Sequence, residues 1–390
     1  MASTTNVVKV GSRKSQLALV QTNTIINKLK ELNPEYEFVV VTMTTTGDNI
    51  LDSALSKIGA KDLFTRELEL ALEAGEVDFV VHSLKDLPTR IADTLVIGCV
   101  YKRDSEFDAV VMHPKHKGKK LEDLPENSVI GTSSLRRAAQ LSRKFPTFKF
   151  ENIRGNLNTR FKKLDEDEKY DAIILAEAGL VRMGWDDRIA QVLTSDECMY
   201  AVSQGAMAVE CRAGDRKTLT LLSDIHHQDT AIACIAERAF LRRLEGGCSV
   251  PVCVSTKLSK TKLTLTGGVF SIDGKQCVLD THSKDLPEEP ANKKMATNGH
   301  LFAAIVPGNI DPALCHIAEE VGTELANLLL ATEAANILAE AKEQTARAVM
   351  EEKARKEREM VEKTKQGEVT AECLFFKDGQ NKAFSQHQMD

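Results

Sequence analysis

The alternation of apolar and polar positions divides the chain into short runs of β-formers separated by longer amphipathic stretches. VVKVG at 7–11 reads as a short buried strand, and a helical pattern follows from Ser12 to Leu32 until Asn33-Pro34 ends it, since the residue before proline avoids helical geometry. YEFVVVTM, ELELALEAG and VDFVVHS continue as strand, helix and strand. A second series repeats that grammar: FDAVVMH, SVIG, the helix SLRRAAQLSRKF, FKFENI, the helix NLNTRFKKLDEDE and YDAIILA. Strands alternating with helices predict an α/β class, here two similar α/β domains with mainly parallel sheets. From Asp229 the pattern changes to one long helix, DTAIACIAERAFLRRL, and then to strand-like PVCVSTKL, KLTLTGGVFS and QCVLD, with a hairpin signal at Asp273-Gly274. With the helical stretch ELANLLLATEAANILAEA, these predict a small α+β third domain on an antiparallel sheet. Ser283 to His300 reads as an exposed polar loop. Residues 340–368 hold eight acidic and eight basic side chains, with pairs four apart at Glu343/Arg347, Glu351/Arg355, Glu352/Lys356 and Glu359/Lys363, which predicts a solvated helix without a core face.

Composition narrows the class. With 390 residues, 42% hydrophobic and 28% charged, the chain suits two or three soluble globular domains. MASTTNVVKVGSRKSQLA carries no signal-like apolar core, and no later run approaches 18 apolar residues, so the expected location is the cytosol, away from membranes. Nine cysteines without CxxC pairing or zinc-type His spacing predict reduced thiols and no metal site. The net charge is -6, yet residues 131–160 hold seven Lys or Arg against one Glu. A basic patch so local points to an anionic partner.

The candidate chemistry lies at strand ends, where open α/β sheets bind ligands. VVHSLKDLPT (80–89) places Ser83, Lys85 and Asp86 there; taken alone, an acid like Asp86 is more often a turn acid and a lysine like Lys85 a solvated loop cation. In GTSSLRRAAQLSRK (131–144) the hydroxyls Thr132, Ser133 and Ser134 open a helix whose dipole favours an anion. Arg136 and Arg137 follow in its first turn, where cations are costly unless an anion compensates. NIRGNLNTR adds Arg154 and Arg160, with Arg13 at the first strand-to-helix turn and Arg182 further on. Guanidinium forks fit carboxylates or phosphates. No aromatic residue interleaves these arginines and no GxxxxGK[ST] loop occurs, so a small polyanion is expected and nucleic acid is not. LEGGCSVPV (244–252) sets Cys248 between glycines and β-formers with no disulfide or metal-ligand partner nearby.

Together GSRKSQLA, VHSLKDLPT, GTSSLRRAAQL, IRGNLNTR and LEGGCSVPV, in that order, resemble the hydroxymethylbilane synthase family, also called porphobilinogen deaminases, across about Val8 to Ala341. SQGAMAVECR departs from the family pattern by carrying Ser203 and Ala208 where glycines are expected. The resemblance implies a transferase that joins four porphobilinogen molecules head to tail, with loss of ammonia, onto one covalent dipyrromethane cofactor per chain. It implies a thioether from that cofactor to Cys248, a soft sulfur nucleophile suited to an electrophilic methylene carbon. Six rings with two carboxylates each would explain the arginines. By resemblance Ser83, Lys85, Thr132, Ser133, Ser134, Arg136, Arg137 and Arg160 would hold the cofactor; Arg13, Ser15, Gln21, Arg154 and Arg182 would hold incoming or growing rings. Asp86 would be the catalytic carboxylate, stabilising the azafulvenium cation or relaying protons. Segment 45–65 is a candidate lid. The expected division is 1–103 with 203–226 as the first domain, 104–202 as the second, 227–340 as the third and 341–390 as a tail, in a monomer with a periplasmic-binding-protein-like pair of lobes. A two-lobed solute receptor and a pyridoxal-phosphate lyase using Lys85 are the competing readings.

Overall fold

The computed structural model describes residues 6–49, 64–245, 250–287 and 300–365. The chain opens with β1 (Asn6–Arg13), α1 (Gln16–Leu32), β2 (Tyr36–Met43), the short α2 (Thr46–Asn49), α3 (Arg66–Glu73), β3 (Phe79–Ser83) and β4 (Leu95–Val100). It crosses to a second lobe with β5 (Asp108–Met112), β6 (Val129–Gly131), α4 (Leu135–Lys144), β7 (Lys149–Glu151), α5 (Leu157–Glu166), β8 (Ala172–Ala176), α6 (Glu177–Arg182) and β9 (Gln191–Leu193). It then returns through β10 (Met207–Arg212) and α7 (Arg216–Ser223). A third unit holds α8 (Gln228–Arg243), β11 (Val252–Leu258), β12 (Lys262–Phe270), β13 (Cys277–Asp285), α9 (Pro312–Leu330) and α10 (Ala334–Lys365).

The first two sheets run β2-β1-β3-β10-β4 and β7-β6-β8-β5-β9. Each has four strands in one direction and a single antiparallel strand in the fourth place, β10 in one and β5 in the other. In both cases that strand is the first the chain lays down after crossing between lobes. The lobes therefore share one topology and exchange a strand direction at each crossover. The mixed α/β class with mainly parallel sheets is as the sequence predicts, and so is the third sheet, an antiparallel β11-β12-β13 meander. Its hairpin turns at Gly274, whose φ of 74° only glycine adopts without strain.

Several local expectations are corrected. The first helix starts at Gln16, not Ser12, because Ser12 and Arg13 stay in the parallel ladder opposite Thr42 and Met43, and Ser15 caps the helix from outside. ELANLLLATEAANILAEA is two helices, broken where Thr332 bonds to the Leu329 carbonyl and accepts the Ala334 amide. β13 runs through Ser283 to Asp285, so the polar loop begins later; residues 288–299 lie outside the described segments. Residues 340–365 do form a helix, yet it begins at Ala334 and has a core face: Ala334, Ile337, Leu338, Ala341 and Thr345 are buried. The expected charge pairing is also present, with Glu343 paired to Arg347 and Arg355 to Glu352. No helix among the described residues is long and apolar enough to cross a membrane.

Candidate active site

The carboxyl ends of β1, β3, β6 and β7 carry most of the candidate residues. After β3, residues Leu84–Asp86 form one 3-10 turn, with the Leu84 amide bonded to the Ala206 carbonyl at 3.0 Å. Leu84 and Leu87 point into the core, which turns Asp86 out to solvent. Among the described residues its carboxylate makes no hydrogen bond or ion pair. Ser83 accepts from Gln21 Nε2 at 2.9 Å, so α1 and β3 present these two together.

Lys85 is half-buried, and its Nζ donates to Gln204 Oε1 at 3.1 Å. Burial, reinforced by the Arg137 charge, pulls its ammonium down to about 8, with Asp86 opposing. Gln204 passes the contact on, donating to Asp108 Oδ1 at 2.9 Å and to the Glu106 carbonyl at 2.8 Å. Asp108, wholly buried at the start of β5, is the anion that Arg136 and Arg137 require. Arg137 binds its Oδ1 through Nε at 2.9 Å and Nη2 at 2.6 Å; Arg136 Nη1 lies 2.8 Å from Oδ2. Burial alone would raise the Asp108 carboxyl, but the two guanidiniums outweigh it and hold the group well below the usual carboxylate range. Both arginines also bond to carbonyls, of Met199 and Ile174. The compensating charge anticipated for this helix start is thus internal, a role the sequence reading missed along with Gln204. An acid inside the apolar run FDAVVMH was its only signal.

The hydroxyls at this helix start are engaged too. Ser134 caps α4 by accepting the Arg137 amide, Thr132 Oγ1 accepts the Ser134 amide, and Ser133 donates to the Ile153 carbonyl at 2.7 Å. Arg160 donates Nε to the Gly155 carbonyl at 2.9 Å. Burial, then the Arg137 and Arg154 charges, pulls its pKa down to about 10, while Asp86 opposes. Burial likewise lowers Arg154. Lys85, Asp86, Arg136, Arg137, Arg154 and Arg160 therefore form one electrostatic group. Of the further candidates, Arg13 lies over the Phe64 ring at 4.4 Å, Ser15 caps α1, and Arg182 bonds to Asp104 at 2.8 Å and to the Gly205 carbonyl. Cys248 and residues 50–63 of the candidate lid lie outside the described residues.

Neither Lys85 nor Arg160 has a carboxylate partner among the described residues, although both are half-buried. Cations placed so beside an exposed, unpartnered carboxylate fit a ligand that brings several carboxylates and an N–H donor.

The family model described as porphobilinogen deaminase, dipyromethane cofactor binding domain, matches residues 8–220, and that of the porphobilinogen deaminase C-terminal domain matches 231–296. The porphobilinogen deaminase of Synechococcus elongatus is 54% identical over 280 residues, covering 72% of this chain and 87% of the relative. That of a Prochlorococcus marinus strain is 44% identical over 337 residues, covering 86% and 98%. Among solved structures, the VFT2 domain of Bordetella pertussis BvgS gives a TM-score of 0.34 at 15% identity, covering 58% of this chain and 91% of that one.

Proposed function

The chain belongs to the porphobilinogen deaminase family, and from that premise we propose that Asp86 is its catalytic carboxylate and Cys248 the point of cofactor attachment. Its reaction is that of the family: four porphobilinogen molecules condense head to tail with loss of ammonia, and hydroxymethylbilane is released with water. A bound dipyrromethane supplies the pyrrole carbon from which the tetrapyrrole grows. The fit of this site to such a group is carried by one observation, the pair of half-buried cations Lys85 and Arg160 beside exposed Asp86, neither with a carboxylate partner among the described residues.

In this reading Ser83, Lys85, Thr132, Ser133, Ser134, Arg136, Arg137 and Arg160 hold the cofactor. For Arg136 and Arg137 the observed bonds to Asp108 make the role one of presenting a rigid, partly neutralised cationic surface. Arg13, Ser15, Gln21, Arg154 and Arg182 receive substrate rings. Asp86 accepts the pyrrole N–H of the incoming porphobilinogen and faces the cation formed as ammonia leaves, where a fixed charge in a water-poor cleft counts most. The enzyme acts as a cytoplasmic monomer without nucleic-acid or membrane partners, with the domain boundaries expected from the sequence.

Intact mass of the purified protein tests the attachment. The parent should carry two pyrrole rings, and Cys248→Ser should fold yet match the bare chain, since a neutral hydroxyl is a far weaker nucleophile than a thiolate. A full adduct on the serine variant refutes the assignment. A bare parent chain favours the solute receptor, and a borohydride-fixed pyridoxyl group the lyase.

A further inference from the structure

Arg238, in the middle of α8, heads the fully buried side chains by size, at 1% exposure. Its Nε donates to the Ala303 carbonyl at 3.1 Å, Nη1 to the Leu87 carbonyl at 3.1 Å and Nη2 to the Pro88 carbonyl at 2.6 Å. It forms no ion pair among the described residues, and burial pulls its pKa down to about 10. A buried cation without a counter-charge is costly, and an apolar side chain of similar volume would fill the space without that cost. What only a guanidinium supplies is a planar fork able to satisfy carbonyls of two irregular segments at once.

Two of those carbonyls belong to the residues directly after Asp86. The other end of the turn is held by the bond from Leu84 to Ala206, and Leu84 and Leu87 bury their side chains in the same core as α8. Asp86 makes no side-chain hydrogen bond or ion pair among the described residues, so the backbone of the turn is what sets the point from which its carboxylate projects. We propose that Arg238 is a positioning residue for Asp86, clamping the exit of the 84–88 turn so that the carboxylate keeps one place while substrates of growing length pass it. The inference rests on the reading of Asp86 as the catalytic carboxylate.

The test is a double-mutant cycle of Arg238→Lys with Asp86→Asn, on proteins matched for folding and for cofactor mass. Lysine keeps the charge and loses the fork. Arg238→Lys should lower kcat about ten- to a hundredfold with KM within about twofold, the effect of a misplaced group whose ligands still bind. Amide exchange at Leu84 and Leu87 should quicken in the same variant, a readout independent of turnover. Adding it to Asp86→Asn should cost little more than Asp86→Asn alone, because the group it positions is already gone. Unchanged kcat in folded Arg238→Lys, or two factors that multiply, overturns the positioning role. Full activity in Asp86→Asn instead overturns the reading of Asp86, whatever Arg238→Lys does. Should Arg238→Lys fail to fold, Arg238→Ala supplemented with methylguanidinium replaces it. Turnover returning with the folded fraction supports the clamp, and folding restored without turnover overturns it.

Discussion

Asp86 and Asp108 are two carboxylates in opposite settings, and their substitution should separate chemistry from stability. Asp86 is exposed and without partners among the described residues. Asparagine there is nearly isosteric but cannot offset a developing cation, so Asp86→Asn should slow ammonia release from porphobilinogen about a hundredfold or more, with substrate binding changed less. Asp86→Glu should retain more activity, and turnover of Asp86→Asn within a few-fold of the parent would remove the residue from the mechanism. Asp108 is wholly buried between Arg136 and Arg137. Asp108→Asn strands two buried guanidiniums and should cost about 3 to 5 kcal/mol in urea unfolding. Because its folded pKa lies below the unfolded value near 4, that contribution is fully present above about pH 4 and is lost only as pH falls through the lower folded value. The stability gap between parent and variant should therefore stay level from pH 8 to 5 and narrow in stronger acid. A gap already closing by pH 6 would contradict the assignment. The roles proposed for Cys248 and Asp86 come only from the resemblance, since a lone thiol and a loop acid look ordinary in isolation. Asp108 was legible as an anomaly, a charge in an apolar strand, whereas its partners lie on a helix nearly thirty positions on and pair with it only in the folded lobe.

Elements were read well where the periodic signal is long and poorly where a neighbour decides. β4, α6, β9, β10 and α7 were not read, whereas the order from β1 to β3 and from β5 to β8, apart from the short α2, follows from hydrophobic period. The start of α1 did not, because Ser12 and Arg13 are held in extended form by their ladder partners on β2, and the break before α10 depends on Thr332 capping at one site. Nor did the core face of α10, whose buried apolar positions end at Ala341 while its charges continue. Leu338→Ala should thus cost about 2 to 5 kcal/mol, while truncation after residue 350 should leave the unfolding midpoint in urea nearly unchanged. Equal losses from both would mean that the distal helix packs after all. At the β3 turn, the lowered ammonium of Lys85 predicts a titration. In the cofactor-free Cys248→Ser protein, 13C-labelled Lys85 should titrate near pH 8, charged below that value and bearing the cost of burial there. Arriving carboxylates favour the charged form, so porphobilinogen should move the midpoint upward. A midpoint near 10.5 without ligand would place Lys85 in open solvent.

At the scale of the whole molecule, two lobes of one topology are joined by two crossover segments, 101–107 and 194–206, which lie side by side. Gly205 has a φ of 85° and leaves no room for a side chain against the Ser105 carbonyl, and Ser203, where the family pattern has glycine, adopts a φ of 63°. The third unit reaches both crossovers through one buried carboxylate. Glu237 of α8 takes Arg103 Nη1 at 3.0 Å and Nη2 at 2.9 Å from the outward segment, the Ser203 amide at 2.6 Å from the return segment, and the Thr256 hydroxyl at 2.8 Å from β11. A residue that ties both crossovers to the third unit couples any lobe movement to that unit. Sequence could not show this, since four residues spread from 103 to 256 share no pattern. Glu237→Gln keeps the shape but leaves the Arg103 guanidinium buried without its charge partner, which should cost about 3 to 5 kcal/mol of stability. It should also raise amide exchange in both crossovers together, because one carboxylate pins them. The measurement is native-state hydrogen exchange of parent and variant, read at 101–107 and 200–206. Exchange that quickens in one crossover and stays unchanged in the other would show that the two hinges are anchored separately, and that Glu237 is a local ion-pair partner and not the common pin.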